Sequence, residues 1–138
     1  MARTYAQVAA IVLLIAGAGG LLTGDASTVV HGKAGGNFDG VALHLTYGRD
    51  VINLALAAAF AYAGWLSRAD QAWLPTLIAG AVLLLLAVVG FIHADDTAGT
   101  RAIASLHFPL AINVFDLITG VLAILSSFGS LAEEPAPA

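Results

Sequence analysis

The sequence predicts an all-α integral membrane protein of four transmembrane helices arranged as two tandem helical hairpins. Three observations predict it. Hydrophobic residues make up 59% of the 138 positions and charged residues only 10%, where a soluble domain carries about 25% charged residues. The apolar residues gather into four runs near the roughly 20 residues a helix needs to cross a hydrocarbon core. The second and fourth of these runs repeat one another. Five Lys/Arg and nine Asp/Glu cannot cover a soluble globule, and a mean hydropathy of +0.91 excludes a disordered chain. With no cysteine, disulfides, thiolate metal sites, iron–sulfur clusters and cysteine nucleophiles are excluded together. A net charge of −4 leaves no electrostatic footprint for nucleic acid.

One transmembrane domain is expected over residues 1–130, with spans at about 5–22, 41–66, 74–92 and 105–128. The first span, YAQVAAIVLLIAGAGGLL, is read as a helix and not a secretory signal, because no convincing small-x-small cleavage site follows Leu22. The second, from Val41 to Leu66, carries charges in its first half. The third, LPTLIAGAVLLLLAVVGFI, is uninterrupted. The fourth opens near Pro109, whose missing N–H costs little in a first turn. Backbone groups in lipid must be satisfied internally, which makes helices the default for such runs. The connections are a long Gly-rich loop, a short one at Ser67–Trp73 and an intermediate one from His93. Residues 131–138 form a polar, Pro-rich tail expected to be disordered. Arg3 and Arg68 balance Lys33 and Arg101 across the membrane, so the longer acidic loops decide the orientation, with both termini cytoplasmic. Tyr5, Trp65, Trp73 and Phe128 then lie at the cytoplasmic boundary as an aromatic belt.

LHLTYGRDVINL from Leu43 aligns without gaps on LHFPLAINVFDL from Leu106, and Leu13-Leu14 and Gly20 align on Leu83-Leu84 and Gly90. Two hairpins pointing the same way imply a pseudo-two-fold axis along the membrane normal. Small-residue lines at Ala16, Gly20 and Gly24, and at Ala55, Ala59 and Ala63, suit close backbone approach.

Arg49, Asp50 and Asn53 fall inside the second span, Asn113 and Asp116 inside the fourth. A charge near the bilayer centre costs about 2.5–3.5 kcal/mol. At about 100° per residue the first three share one wedge, and Asn113 and Asp116 share a face at i, i+3. Turning both wedges inward gives a buried polar clasp, with Arg49 bonded to Asp116, Asp50 or both. A proton or ion relay through Asp50 and Asp116 is the functional alternative. It lacks support from the first and third spans, which hold no titratable acid or base in their interiors.

His31, His44, His93 and His107 all fall on one side of the four-span arrangement, with Asp95 and Asp96. Interfacial histidines and loop aspartates are ordinary in membrane proteins. As a site, His31, His93, Asp95 and Asp96 would suit a divalent metal, and His44 and His107, at matching repeat positions, would offer axial nitrogens to a tetrapyrrole. No cofactor is the simpler expectation. No HExxH, Walker A, GxSxG or CxxCH motif occurs, so the chain is expected not to be an enzyme.

The run NVFDLITGVLAIL from Asn113 to Leu125, the run AIVLLIAGAGGLL in the first span and VVGFI ending the third resemble a family of small four-span bacterial membrane proteins catalogued as a domain of unknown function. The resemblance covers about residues 5–128. It implies a four-helix fold in a bacterial cytoplasmic membrane and transfers no catalytic or ligand residues; members often carry His where this chain has Asp116. Small size and Gly/Ala-lined helices point to a non-enzymatic accessory or scaffolding subunit of a larger membrane complex, respiratory or photosynthetic. Its expected partners are other membrane subunits or itself, and lipids. The alternatives are a metal- or tetrapyrrole-binding protein and a small proton or ion conductor.

Overall fold

The computed structural model describes residues 1–23, 47–93, 106 and 110–133, and its elements are helices. They are α1 (Ala2–Thr23), α2 (Tyr47–Ala61) continued by a π-helical turn (Tyr62–Leu66), α3 (Trp73–Ile92) and α4 (Leu110–Ala132). Three of them, α1, α3 and α4, are long and apolar enough to cross a membrane.

The chain folds as two antiparallel hairpins, with α1 on α2 and α3 on α4 making the most extensive contacts. Glycines set the approach. A Cβ on Gly17 would meet the Asp50 carbonyl oxygen at 2.8 Å, and one on Gly120 would meet the Gly80 carbonyl oxygen at 2.9 Å. Lipid supplies no hydrophobic drive between helices, so such close packing is what holds them together. The core is correspondingly thin: mostly alanines, with Leu13, Leu56, Phe60 and Leu83 as its larger members. Between hairpins, α1 lies against α4 and α2 against α3. The α1 and α3 backbones also touch across the diagonal, whereas those of α2 and α4 stay apart among the described residues.

Several boundaries differ from the sequence expectation. Helix α1 begins at Ala2, ahead of Tyr5, and the Ala2 N–H donates to Ser130 Oγ at 2.6 Å. A helix-terminal donor that lacks an intrahelical partner is thereby satisfied. Helix α4 runs past Phe128 to Ala132, so Leu131 and Ala132, assigned above to the tail, are helical. Glu133 lies 3.3 Å from the Met1 amine. Both extensions have one cause: the two helix ends bond to each other. Residues 134–138 lie outside the described residues, as do residues 41–46 of the second expected span.

Helix α2 ends in the π-helical turn, in which the Ser67 N–H donates to the Tyr62 carbonyl at 2.8 Å. The wider turn presents the Gly64 carbonyl to α1, where Arg3 Nε (3.0 Å) and Gln7 Nε2 (2.9 Å) both donate to it. Helix α3 tolerates Pro75 in its first turn because that N–H would have had no helical partner. The buried hydroxyls of Thr76 and Ser127 donate to the carbonyls of Ala72 and Ala123, each one turn back, at 2.7 and 2.8 Å. Neither is left unsatisfied in the core.

The small-residue lines turn inward only in part. Gly20 and Ala63 are buried as expected and Ala16 and Ala59 half-buried, but Ala55 is exposed, and the closest approaches fall at Gly17 and Gly64. Burying the polar side of α2 fixes its rotation, and the small residues on that inward side do the packing. Gly24 lies outside the described residues.

Candidate functional site: a buried polar clasp

Among the described residues, seven polar side chains are buried: Arg49, Asp50, Asn53, Thr76, Asn113, Asp116 and Ser127. The outside is the reverse. Val8, Ile11, Ile15, Val51, Ile78, Leu85, Val88, Ile118 and Leu125 are each more than half exposed or nearly so. Polar inside and apolar outside inverts the arrangement of a soluble bundle.

The first turn of α2 carries Arg49 and Asp50, and Asn53 follows one turn after Arg49. Arg49 is 1% exposed and Asp116 0%. The guanidinium grips the carboxylate with two bonds, Nη1 to Oδ2 at 2.8 Å and Nη2 to Oδ1, while Nε donates to Asn53 Oδ1 at 3.1 Å. The planar fork of arginine matches a carboxylate in this way, and charge-assisted bonds are roughly twice as strong as neutral ones. Asp116 projects from the second turn of α4, so the pair spans the diagonal that the backbones leave open. Of the two carboxylates the sequence offered to Arg49, this is the one on the other hairpin.

Asn113 lies one turn before Asp116 on α4 and presses against α3 at Gly90, where any Cβ would fall on the Asn113 amide. Asp50 is buried beside Arg49, its own carbonyl against Gly17. Arg49, Asn53 and Asp116 thus form one hydrogen-bonded unit, with Asp50 and Asn113 at their flanks.

Tyr5 has a role that the sequence did not suggest. Placed above in an aromatic belt, it turns inward and donates its hydroxyl to the Thr119 carbonyl of α4 at 2.6 Å. Its ring meets Phe60 edge-on, with centroids 6.1 Å apart. This is a further tie between hairpins, beside the clasp and the Ala2–Ser130 bond. The available signal was position: Tyr5 follows Ala2 and precedes Ala6 and Ala9 on the side of α1 that carries the small core residues.

Among the histidines only His93 is described. It caps α3, where its N–H bonds the Val89 and Gly90 carbonyls, and its side chain is half-buried. His31, His44, His107, Asp95 and Asp96 lie outside the described residues. Among the described residues no three His, Asp or Glu side chains gather as a metal site would require.

The fold and the clasp define a class: a helical bundle suited to lipid, with three helices able to cross a membrane and Arg49, Asp50 and Asp116 turned inward. No family model, no curated protein and no solved structure matches the chain.

Proposed function

We propose that the protein is a four-span integral membrane protein acting as a non-enzymatic accessory or scaffolding subunit of a larger membrane complex. One observation carries the reading: the charged side chains in the helix interiors, Arg49, Asp50 and Asp116, are buried, with Arg49 paired to Asp116, while large apolar side chains are exposed along the outward faces of the helices. Such a surface presents packing faces to lipid or neighbouring helices and offers little to a soluble substrate.

The fourth span is α2 with its π-helical continuation. Fifteen α-helical and five π-helical residues give about 30 Å, the thickness of a hydrocarbon core. Its charged first turn, which sets it apart from the other three, is covered by the clasp.

The tandem repeat is supported by burial. Ala2, Ala9, Ala10, Leu13, Gly17 and Gly20 are buried on α1; their counterparts in the alignment, Ala72, Ala79, Gly80, Leu83, Ala87 and Gly90, are buried on α3. Arg49, Asp50, Asn53, Ala57 and Phe60 on α2 correspond in the same way to the buried Ile112, Asn113, Asp116, Gly120 and Ala123 on α4. The clasp then breaks the symmetry at one point, where Arg49 stands opposite Ile112 in the alignment.

Solubilisation in a mild non-ionic detergent followed by affinity purification tests the role. The expected result is a stoichiometric membrane partner; a chain that always runs alone overturns it. Ion conduction has less behind it, because both oxygens of Asp116 are already held by Arg49.

A further inference from the structure

An apolar groove of about 230 Å³ runs along the outside of the first hairpin between α1 and α2. Ala10 and Leu14 line one wall; Leu54, Ala58, Ala61 and Trp65 line the other. Each set follows helical spacing, so each forms a continuous line along its helix. Extending the α1 line by one and two turns toward the N-terminus reaches Gln7 and then Arg3. Arg3 is exposed, and its Nε is fixed on the carbonyl of Gly64, the neighbour of Trp65, at 3.0 Å. A cation therefore stands at the Trp65 end of an apolar groove, and no ion pair among the described residues uses it.

The aligned positions of the second hairpin are filled differently. Alignment of the hairpins pairs Ala61 with Ile124 and Ala58 with Val121. Ile124 Cγ1 lies 3.4 Å from where a Cβ on Gly80 would sit, closing the corresponding space. On the α2 wall of the first hairpin, Ala58 and Ala61 leave open the space that Val121 and Ile124 occupy in the second.

We propose that Arg3 and this groove bind one anionic phospholipid from the leaflet on the side of the Ser67–Ala72 connection. The phosphate sits on the Arg3 guanidinium, whose Nη groups remain available beyond the Nε bond. One acyl chain lies along Ala61 and Ala58 toward Leu54, and the Trp65 indole stands at the level of the glycerol esters. Charge complementarity selects the occupant: a second copy packed by a two-fold contact would bring the same cation against Arg3, and a zwitterionic lipid brings no net charge. Basic groups beside clefts between membrane helices are established headgroup sites. The proposal rests on the membrane reading above.

The test uses the full chain in vesicles, carrying W73F so that Trp65 is the one remaining tryptophan of the two. Trp65 fluorescence is titrated with chain-brominated phosphatidylglycerol and, separately, chain-brominated phosphatidylcholine. Half-maximal quenching is expected at about fivefold lower mole fraction of the anionic lipid, the factor one basic residue near such a surface commands. R3Q should make the two curves coincide, with Gln7 still holding Gly64. A61I, which fills the groove as Ile124 does, should weaken quenching by both lipids. Coincident curves with Arg3 present overturn the lipid site. Equal shielding of Trp65 from both lipids assigns the groove to a second copy and also overturns it. An alkaline wash of the same vesicles separates the two readings: protein released by the wash ends the membrane reading, and protein retained with coincident curves ends the lipid site alone.

Discussion

The guanidinium of Arg49 reaches from α2 to hold both carboxylate oxygens of Asp116 on α4, although the backbones of those helices do not approach each other. A long side chain fills the open diagonal of the bundle, and the facing diagonal is closed by direct contact of α1 with α3. Both charges gain a partner where water is absent. The clasp is the point at which the two hairpins are set in register.

Removing one member of the pair should cost far more than removing both. R49M or D116L alone leaves a buried charge uncompensated, which costs about 3–5 kcal/mol. The double variant R49M/D116L should recover most of that loss, since apolar replacements of a buried pair are often neutral. Thermal unfolding in detergent, followed by circular dichroism, measures it. Additive losses would show that Arg49 and Asp116 do not act as a unit.

Gly90 is where α3 yields to Asn113. G90A places a methyl on the Asn113 amide and should destabilise the second hairpin by about 1–3 kcal/mol, as overpacking does. G90A/N113A should be milder than G90A alone. V82A, on the exposed side of the same helix, serves as the near-neutral control, and the melting temperatures of the three give the order.

Tyr5→Phe keeps the edge contact with Phe60 and deletes one bond, from the hydroxyl to the Thr119 carbonyl. The expected loss is about 0.5–1.5 kcal/mol. A larger loss from Y5A than from Y5F would assign the remainder to the ring.

Four spans make a topological prediction that three do not. The chain has no native cysteine, so single cysteines report cleanly. A69C and A132C should react with a membrane-impermeant maleimide from one side of sealed vesicles, and K33C and R101C from the other. Labelling of K33C and A69C from the same side would remove α2 as a span.

The sides of α2 and α4 that turn inward were legible in the sequence, because few polar residues stand among many apolar ones. Arg49, Asp50 and Asn53 share one wedge, Asn113 and Asp116 another, and lipid penalises any arrangement that leaves them outward. Helix ends were less legible. Ala2 and Ala132 are apolar enough to belong on either side of a boundary, and the bonds that retain them in helices join residues far apart in the chain.

By itself the sequence determined the helical architecture and the inward placement of Arg49, Asp50 and Asp116, since both follow from local composition and the cost of polar groups in hydrocarbon. Only the tertiary structure decided which carboxylate Arg49 holds, that Tyr5 leaves the boundary for Thr119, and that Gly17 and Gly64 carry the first hairpin's contacts. Those outcomes depend on the rotation and separation of neighbouring helices. Helical spacing fixes which residues share a face, but the neighbour that face meets is set by packing among all four helices at once.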